Sequence, residues 1–223
     1  MKFVVKYFPE IVIKSKPVRR RFVGQLVENL RAVLRDIDSD VVVKRSWDKL
    51  QIESQRDDAA IHARLVDAMR HAPGITYILE VSEYPLPALE NMIDKVLPVF
   101  GERLQGRTFA VRCKRTGSHA FTSMDVEREV GGALLASTGA AAVRLRDPEV
   151  TVDLEISKQT FYVVNRRHRG LGGYPVGSID PVLSLISGGF DSPVASYLTM
   201  KRGMRTHFLF FNLGGRDHEI GVK

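Results

Sequence analysis

Hydrophobic residues near the start of the chain follow two different periods. Phe3 and Val5 alternate with lysines, which predicts a strand over residues 2–8. Apolar residues then recur every three or four positions, which predicts one stripe on a helix that Pro17 opens. The stripe consists of Phe22, Leu26, Leu30, Val33 and Ile37.

Two more strands, a second helix and a final strand complete this first segment. Strands are predicted over residues 41–45 and 50–53, and a helix is predicted over residues 57–71. Pro73-Gly74 ends the helix, and residues 75–81 form the next strand. The order β-α-β-β-α-β is that of a ferredoxin-like unit, in which two helices cover one face of an antiparallel sheet.

A second segment of mixed α and β pattern begins after two prolines. Residues 89–100 and 123–137 have helical patterns, and residues 108–115 between them have the pattern of a strand. Apolar and polar residues alternate strictly over residues 150–156, and residues 161–166 are predicted to return beside them as a hairpin. The fold class predicted for these first two segments is α+β.

The last part of the chain has a different hydrophobic pattern and composition. A linker rich in glycine and arginine is predicted over residues 168–181. A short apolar strand over residues 182–186, a helix over residues 192–202 and a strand over residues 206–211 follow. This β-α-β order predicts the beginning of an α/β domain with a parallel sheet. Because such a domain needs more strands, we expect the chain to be a fragment of a longer protein.

Composition indicates a basic globular protein. The 223 residues carry a net charge of +7, with a calculated pI of about 9.6. Clustered lysines and arginines bind polyanions by releasing phosphate counterions, so the charge favours a nucleic-acid partner. The lysine at position 6 interrupts any signal-peptide core, and no apolar run approaches the ~18 residues of a membrane span. We therefore expect a soluble intracellular protein.

The chain has a single cysteine, Cys113. It therefore has no internal disulfide and no metal cage of cysteines. Phe109, Val111 and Cys113 fall on one face of the predicted strand, opposite Arg112 and Lys114. This placement predicts a buried and unreactive thiol.

The loop between the last predicted helix and the strand before it reads Ser187-Gly188-Gly189-Phe190-Asp191-Ser192. Its glycines let backbone N–H groups approach an anion, its serines add hydroxyl donors, and the following helix points its positive end at the same place. Asp191 is an acid and so would position Mg²⁺ or orient the loop. The pattern is neither a P-loop nor a dinucleotide-binding motif.

A structural alternative for this loop is a glycine turn followed by a serine helix cap. A bare Gly-Gly pair would favour that alternative. The full hexapeptide between a strand and a helix favours the phosphate site.

Basic residues cluster in three places that border predicted loops. Each cluster alone is typical of a solvated face, whereas three clusters upstream of a phosphate-binding loop favour an RNA surface. The loop after Arg115 has small and hydroxyl residues, which suit contacts with phosphates rather than bases. The clusters are Lys14, Lys16, Arg19, Arg20 and Arg21; Arg112, Lys114, Arg115 and His119; and Arg166, Arg167, His168 and Arg169.

The hexapeptide resembles the PP-loop of ATP pyrophosphatases, which cleave ATP between its α and β phosphates. Over essentially its whole length the chain is similar to the tRNA 4-thiouridine synthetase (tRNA sulfurtransferase) family. Beyond the loop, the segments that carry this resemblance are Phe121–Arg128, Val130-Gly131-Gly132, Phe211–Gly215 and His218–Gly221.

The resemblance implies a division into domains. An N-terminal ferredoxin-like domain would span residues 1–62, or extend to about residue 83. A THUMP RNA-binding domain would follow at residues 63–167, then the linker at residues 168–181 and a truncated PP-loop ATP pyrophosphatase domain at residues 182–223.

The resemblance also implies site residues, with ATP and Mg²⁺ as cofactors and Asp191 in the catalytic role. No separate set of protein ligands for a metal is predicted. Plain core packing stays open as the alternative for the two phenylalanines among the residues expected to bind the nucleotide. These residues are Leu185, Ile186, Ser187, Gly188, Gly189, Phe190, Ser192, Phe210 and Phe211.

The activity implied is sulfur insertion into tRNA. Uridine 8 would be adenylated at O4, and persulfide sulfur from a cysteine would displace AMP, with a cysteine desulfurase as sulfur donor. Some relatives also supply sulfur for the thiamine thiazole. We expect a cytoplasmic protein that binds no membrane, and we leave a homodimer open. Because no sulfur-carrying cysteine follows the PP-loop, we expect this fragment to bind tRNA without completing the reaction.

Two other functions remain as alternatives. A PP-loop ligase that acts on a small molecule would explain the loop but not the basic first 165 residues. A non-catalytic RNA-binding module would explain the charge and leave the loop without a role.

Overall fold

The computed structural model describes residues 1–46 and 48–216. Its helices are α1 (Pro9–Val12), α2 (Lys16–Arg35), α3 (Ala59–Arg70), α4 (Ile93–Phe100), α5 (Ser123–Ser137) and α6 (Asp191–Lys201). Its strands are β1 (Lys2–Tyr7), β2 (Val42–Arg45), β3 (Lys49–Glu53), β4 (Ile75–Pro85), β5 (Thr108–Thr116), β6 (Ala142–Val143), β7 (Val150–Ser157), β8 (Thr160–Gly172), β9 (Ile179–Ile186) and β10 (Met204–Phe210). Two short 3-10 helices flank α4, at Leu89–Asn91 and Glu102–Leu104.

The described residues divide into two compact units. The first comprises Met1, Phe3–Ile78 and the chain from His168 onward, and the second comprises Leu79–Arg167 together with Lys2. Cores of large apolar side chains stabilise both units. In the described part of the chain, no helix is both long and apolar enough to cross a membrane.

In the first unit the strands follow the order β2-β3-β1-β4, and β2 pairs with β3 antiparallel. This is the element sequence and strand arrangement expected of a ferredoxin-like unit. Helix α2 buries Phe22, Leu26 and Leu30 as predicted. After Leu30 the buried stripe continues with Leu34, and Val33 is exposed. With 3.6 residues per turn, a residue four positions after Leu30 lies closer to the same helix face than a residue three positions after it. The pattern did not predict the four-residue helix α1.

In the second unit the strands follow the order β8-β7-β5-β6. Strand β5 pairs with β7 in parallel, and β7 pairs with β8 antiparallel, which confirms the predicted hairpin. Helix α5 has the bounds that the pattern predicts, and it begins with a capping box formed by Thr122 and Asp125. Its Val126, Val130 and Leu134 are buried in the core of this unit.

The last strands extend further than the pattern predicts. Strand β8 continues through Gly172 and β9 already begins at Ile179, so residues 173–178 are the segment between strands. Strands β9 and β10 are parallel and α6 lies between them in sequence, which confirms the predicted β-α-β unit. The domain boundaries stay predictions.

Candidate phosphate-binding loop and nucleic-acid interface

The predicted phosphate loop lies between the carboxyl end of β9 and the start of α6. In the parallel pair, Leu185 is opposite Leu209 and Ile186 is opposite Phe210. The edge formed by the carboxyl ends of parallel strands is the usual position of a ligand site in an open α/β sheet.

The loop holds one of its glycines in an unusual backbone conformation. Gly188 has a φ of +66°, which residues with a side chain rarely adopt. The backbone N–H of Ser187 donates to Ser192 Oγ at 3.3 Å, a bond that joins the two ends of the loop. Phe190 at the tip is 93% exposed, so the loop opens to solvent.

The start of α6 is a suitable anion site. Phe190 at the N-cap position makes no side-chain capping hydrogen bond. Pro193 has no N–H and the N–H of Val194 donates to the carbonyl of Phe190, so the N–H groups of Asp191 and Ser192 are the ones open to a ligand, and the helix dipole favours negative charge there. Asp191 is exposed in this first turn, where its carboxylate could share a Mg²⁺ ion with bound phosphates. Among residues 1–46 and 48–216 there is no group of three or more metal-ligating side chains.

Hydroxyl groups fix α6 against its two strands. Ser196 is buried, and its Oγ lies 2.7 Å from Ser184 Oγ on β9 and donates to the carbonyl of Ser192 at 2.6 Å. Thr199 Oγ1 lies 3.1 Å from Thr206 Oγ1 on β10. These contacts hold the middle and the end of α6 against β9 and β10.

The apolar residues expected to contact the nucleotide lie at the ends of the two strands. Leu185 and Phe211 are exposed, whereas Ile186 and Phe210 are half-buried. None of them belongs to the described hydrophobic cores. Core packing within the described residues therefore does not account for Phe211, and nucleotide contact stays a prediction.

Four of the five cations predicted around the start of α2 are exposed: Lys14, Lys16, Arg20 and Arg21. Arg19 is instead only 8% exposed, and its Nη1 donates to the carbonyl of Val12 at 3.5 Å. Arg45 joins this group in a cleft of about 430 Å³ that Lys16, Arg19 and Arg20 also line. No cluster in the sequence pointed to Arg45, because β2 brings it there through the tertiary fold.

The cations of β5 stand on the face opposite the core. Lys114 is exposed, and Arg112 Nη2 donates to the carbonyl of Leu145 at 2.6 Å. Their strand partners on β7 are Glu155 and Asp153, respectively. Burial raises the pKa of Asp153, while Arg167, Lys114 and Arg112 act in the opposite direction.

His119 orders the loop after β5 through both of its ring nitrogens. Its Nε2 lies 2.7 Å from the carbonyl of Lys158, and its Nδ1 lies 3.0 Å from Arg115 Nη1. A carbonyl only accepts and a guanidinium only donates, so a neutral ring protonated at Nε2 satisfies both bonds. The ring also stacks on Phe121 at a centroid distance of 5.5 Å.

Arg166 and Arg167 lie exposed in the extended strand β8. A cleft of about 310 Å³ in the second unit brings them together with Arg103 and Arg107, which the sequence did not single out. Arg169 lies further along β8, within the first unit, where it lines a different pocket.

Comparison with known protein families identifies three consecutive segments. Residues 2–78 match the ThiI ferredoxin-like domain, residues 88–165 match the THUMP domain, and residues 177–223 match the family described as thiamine biosynthesis protein (ThiI). The chain belongs to the tRNA sulfurtransferase (ThiI) family. Of the segments that carried the predicted resemblance, His218–Gly221 lies outside the described residues.

Curated relatives of this family resemble the whole chain. A tRNA sulfurtransferase of Pseudomonas aeruginosa (strain UCBPP-PA14) is 53% identical over 222 residues, which are 100% of this chain and 46% of that protein. A tRNA sulfurtransferase of Azotobacter vinelandii is 51% identical with the same coverage. The ThiI-family chain thus spans about half the length of the curated relatives it matches.

Solved structures confirm the predicted fold class. PH1313 from Pyrococcus horikoshii matches with a TM-score of 0.79 and 20% identity, over 99% of this chain and 72% of that one. A 4-thiouridine synthetase in complex with RNA and ATP matches with a TM-score of 0.76 and 24% identity, over 96% of this chain and 54% of that one. At these identities the likeness concerns the fold alone.

Proposed function

We propose that this chain is the part of a tRNA sulfurtransferase that binds tRNA and ATP, and that the whole enzyme makes 4-thiouridine at position 8 of tRNA. The observation that carries the proposal is the loop before α6, in which Gly188 has a positive φ and no side chain caps the start of the helix. It occurs in a chain that is 53% identical over its whole length to a protein named tRNA sulfurtransferase.

The loop residues fit a nucleotide triphosphate. Gly188 has a positive φ in the turn between β9 and α6, and Ser192 Oγ accepts the N–H of Ser187. Backbone N–H groups and serine hydroxyl groups of this turn would bind the phosphates. Asp191 would hold Mg²⁺ together with the phosphates, and the ion would offset negative charge on the departing pyrophosphate. Leu185, Ile186, Phe210 and Phe211 would contact the nucleotide at the strand ends.

The reaction that we propose proceeds in three displacements. Uridine O4 attacks the α phosphorus of ATP, the bond to the β phosphate breaks, and pyrophosphate leaves. The outer sulfur of a cysteine persulfide then attacks C4, and AMP leaves with the oxygen. A second thiol finally attacks the cysteine sulfur, which forms a disulfide and breaks the S–S bond, so that the outer sulfur stays on C4 as the thiocarbonyl. Adenylation is needed because a uridine carbonyl oxygen is a poor leaving group, whereas AMP is a good one.

Sulfur would come from a cysteine that lies outside these 223 residues. Cys113 is buried, and burial raises the pKa of its thiol to about 11, so it is protected from a sulfur donor. A cysteine desulfurase would supply the persulfide in the cytoplasm. The same sulfur could serve thiamine thiazole synthesis, and by itself this chain would bind tRNA without thiolating it.

The exposed cations would bind the phosphates of the tRNA. They lie on both units and include Arg45, Arg103 and Arg107 in addition to the residues predicted from the sequence. Titration of the 223-residue chain with tRNA and with an RNA duplex of equal length tests this part. We expect tighter binding of tRNA with steep salt dependence, and equal affinity for both RNAs would refute it.

Asp191→Ala tests the catalytic part in the longer protein that carries this chain. We expect it to abolish 4-thiouridine in tRNA, measured by mass spectrometry of nucleosides, while tRNA affinity stays unchanged. Asp180→Ala is the matched control, since Asp180 is an exposed carboxylate near the opposite end of β9. Normal 4-thiouridine in the Asp191→Ala protein would show that the loop is not catalytic.

A further inference from the structure

A pocket of about 570 Å³ in the first unit is separate from the phosphate loop. Its lining includes Tyr174, Arg169 from β8, and Lys201 and Arg202 from the end of α6, and we call it the Tyr174 pocket. The loop lies at the opposite end of α6, so about 15 Å of helix separates Lys201 from Asp191. The volume lies in the range of roughly 300–1,000 Å³ that is usual for small-ligand sites.

The side chains that line the Tyr174 pocket carry more positive than negative charge. Within the described residues, the side chains of Arg169, Lys201 and Arg202 make no hydrogen bond or ion pair. The carboxylate in the lining is Glu10, which accepts a hydrogen bond from the hydroxyl of Tyr174. That bond is the main reason why the pKa of Tyr174 is raised.

Basic residues at the end of a helix often need no ligand to explain them, because they complement the helix dipole. This explanation covers Lys201 and Arg202. It does not cover Arg169, which comes from a different element and lines the same pocket. The convergence of three cations from two elements therefore indicates an anion.

Aromatic side chains line the same pocket. Phe8 and Tyr77 are half-buried members of the lining, whereas Tyr174 is only 8% exposed and its ring meets that of Phe8 edge to face at 6.1 Å. Cations combined with aromatic side chains are the features by which proteins bind unpaired nucleotides, since the cations contact the phosphate and the rings contact the base.

The backbone holds this pocket in place. The N–H of Tyr174 donates to the carbonyl of Lys201 at 3.0 Å. Gly173 has a φ of +73°, and a Cβ added there would overlap that same carbonyl oxygen. The end of α6 is thereby fixed to the segment after β8, which positions its cations before any ligand arrives.

We propose that the Tyr174 pocket binds one unpaired nucleotide of a bound RNA, with the phosphate at Arg169, Lys201 and Arg202. This inference rests on the proposed tRNA-binding function and adds a subsite that lies away from the phosphate loop. An unpaired nucleotide fits best, because a paired base would have to give up its pairing and stacking before it could enter a pocket.

The salt dependence of tRNA binding tests the contribution of the cations. In the 223-residue chain, Lys201→Ala combined with Arg202→Ala is expected to lower the slope of log affinity against log salt by about 0.7 to 0.9, since both side chains contact one phosphate and each neutralised phosphate contributes that amount. Arg35→Ala combined with Arg70→Ala removes the same charge from exposed positions outside the pocket, and it should leave the slope within error. Equal slopes for the two double variants would overturn the inference.

Leu198→Trp tests the pocket without changing its charge. Leu198 is an exposed helical residue in the pocket lining, so a larger side chain should fill the space and weaken tRNA binding about tenfold. Circular dichroism checks that each variant is folded. Unchanged tRNA affinity of a folded Leu198→Trp protein would overturn the inference.

A free nucleotide has the same phosphate and base as an unpaired RNA nucleotide, so AMP is titrated in parallel. Weak AMP binding, together with loss of tRNA affinity in the variants, supports the RNA assignment. If AMP binding alone responds to Leu198→Trp, the pocket serves a free nucleotide and the assignment fails. If the unmodified chain shows no preference for tRNA, the proposed function itself fails.

Discussion

The sulfur of Cys113 lies on the face of β5 that packs into the core of the second unit, and it is only 8% exposed. Desolvation is the main cause that raises the pKa of this thiol to about 11, and the nearby carboxylate of Glu127 acts in the same direction. At neutral pH the group is therefore a neutral thiol, which is a poor nucleophile. This one side chain illustrates why the proposed sulfur route must use another cysteine.

Two measurements check the state of Cys113. A thiol reagent at pH 8 should label the folded chain far more slowly than the denatured chain. A raised pKa contributes stability that is complete below the unfolded value of about 9 and is lost as pH rises through about 11. The free energy of unfolding of wild type should therefore approach that of Cys113→Ala between pH 9 and 11. If the difference in the free energy of unfolding between wild type and Cys113→Ala stays constant from pH 9 to pH 11, the thiol is not buried as described.

Helix α5 shows how short-range signals define an element. Thr122 Oγ1 accepts from the N–H of Asp125 at 3.2 Å, and Asp125 Oδ2 accepts from the N–H of Thr122 at 2.7 Å. These reciprocal bonds satisfy donors that a helix start leaves free. The pKa of Asp125 is lowered chiefly because its carboxylate accepts that backbone bond.

Thr122→Ala should destabilise the second unit by about 1 kcal/mol, since it removes one half of this cap. Ser123→Ala is the control, because Ser123 is the first residue of the helix and its side chain makes no hydrogen bond within the described part of the chain. Urea unfolding measures both variants. Equal effects would mean that the cap contributes nothing specific.

On the scale of the whole molecule, the segment after β8 joins the β9-α6-β10 part to the ferredoxin-like part of the first unit. Gly177 donates its N–H to the carbonyl of Gly203 at 2.8 Å, and Asn29 Nδ2 on α2 donates to the carbonyl of Val176 at 2.9 Å. Together with the bond from Tyr174 to Lys201, these contacts tie the segment to both neighbours.

Gly173→Ala should weaken this junction by at least about 2 kcal/mol, because the backbone conformation disfavours a side chain and the new methyl group would overlap a carbonyl oxygen. Gly132→Ala is the matched change in an open position of α5, where no neighbouring atom lies within 4 Å. Alanine favours a helix interior, so Gly132→Ala should stabilise the chain by up to about 1 kcal/mol. Thermal unfolding distinguishes the two, and a neutral Gly173→Ala would contradict the proposed rigidity.

Much of the fold could be predicted because local patterns and tertiary structure agree. The alternation over β7 and the stripe on α2 each reflect one buried face, and the helix and strand types followed from them. The pattern did not predict that Leu34 is buried in place of Val33, or that β8 extends to Gly172. Contacts with residues distant in sequence decide which side chains of a helix are buried and where a strand ends.

By itself, the sequence determined the element order, the burial of Cys113, the hexapeptide before α6 and the family resemblance, because each depends on residues close together in the chain. Only the tertiary structure decided that Arg45 joins the cations of α2, that Arg103 and Arg107 join those of β8, and that Arg169 meets Lys201 and Arg202. Such groupings arise when strands and helices distant in sequence pack side by side, and no spacing along the chain encodes them.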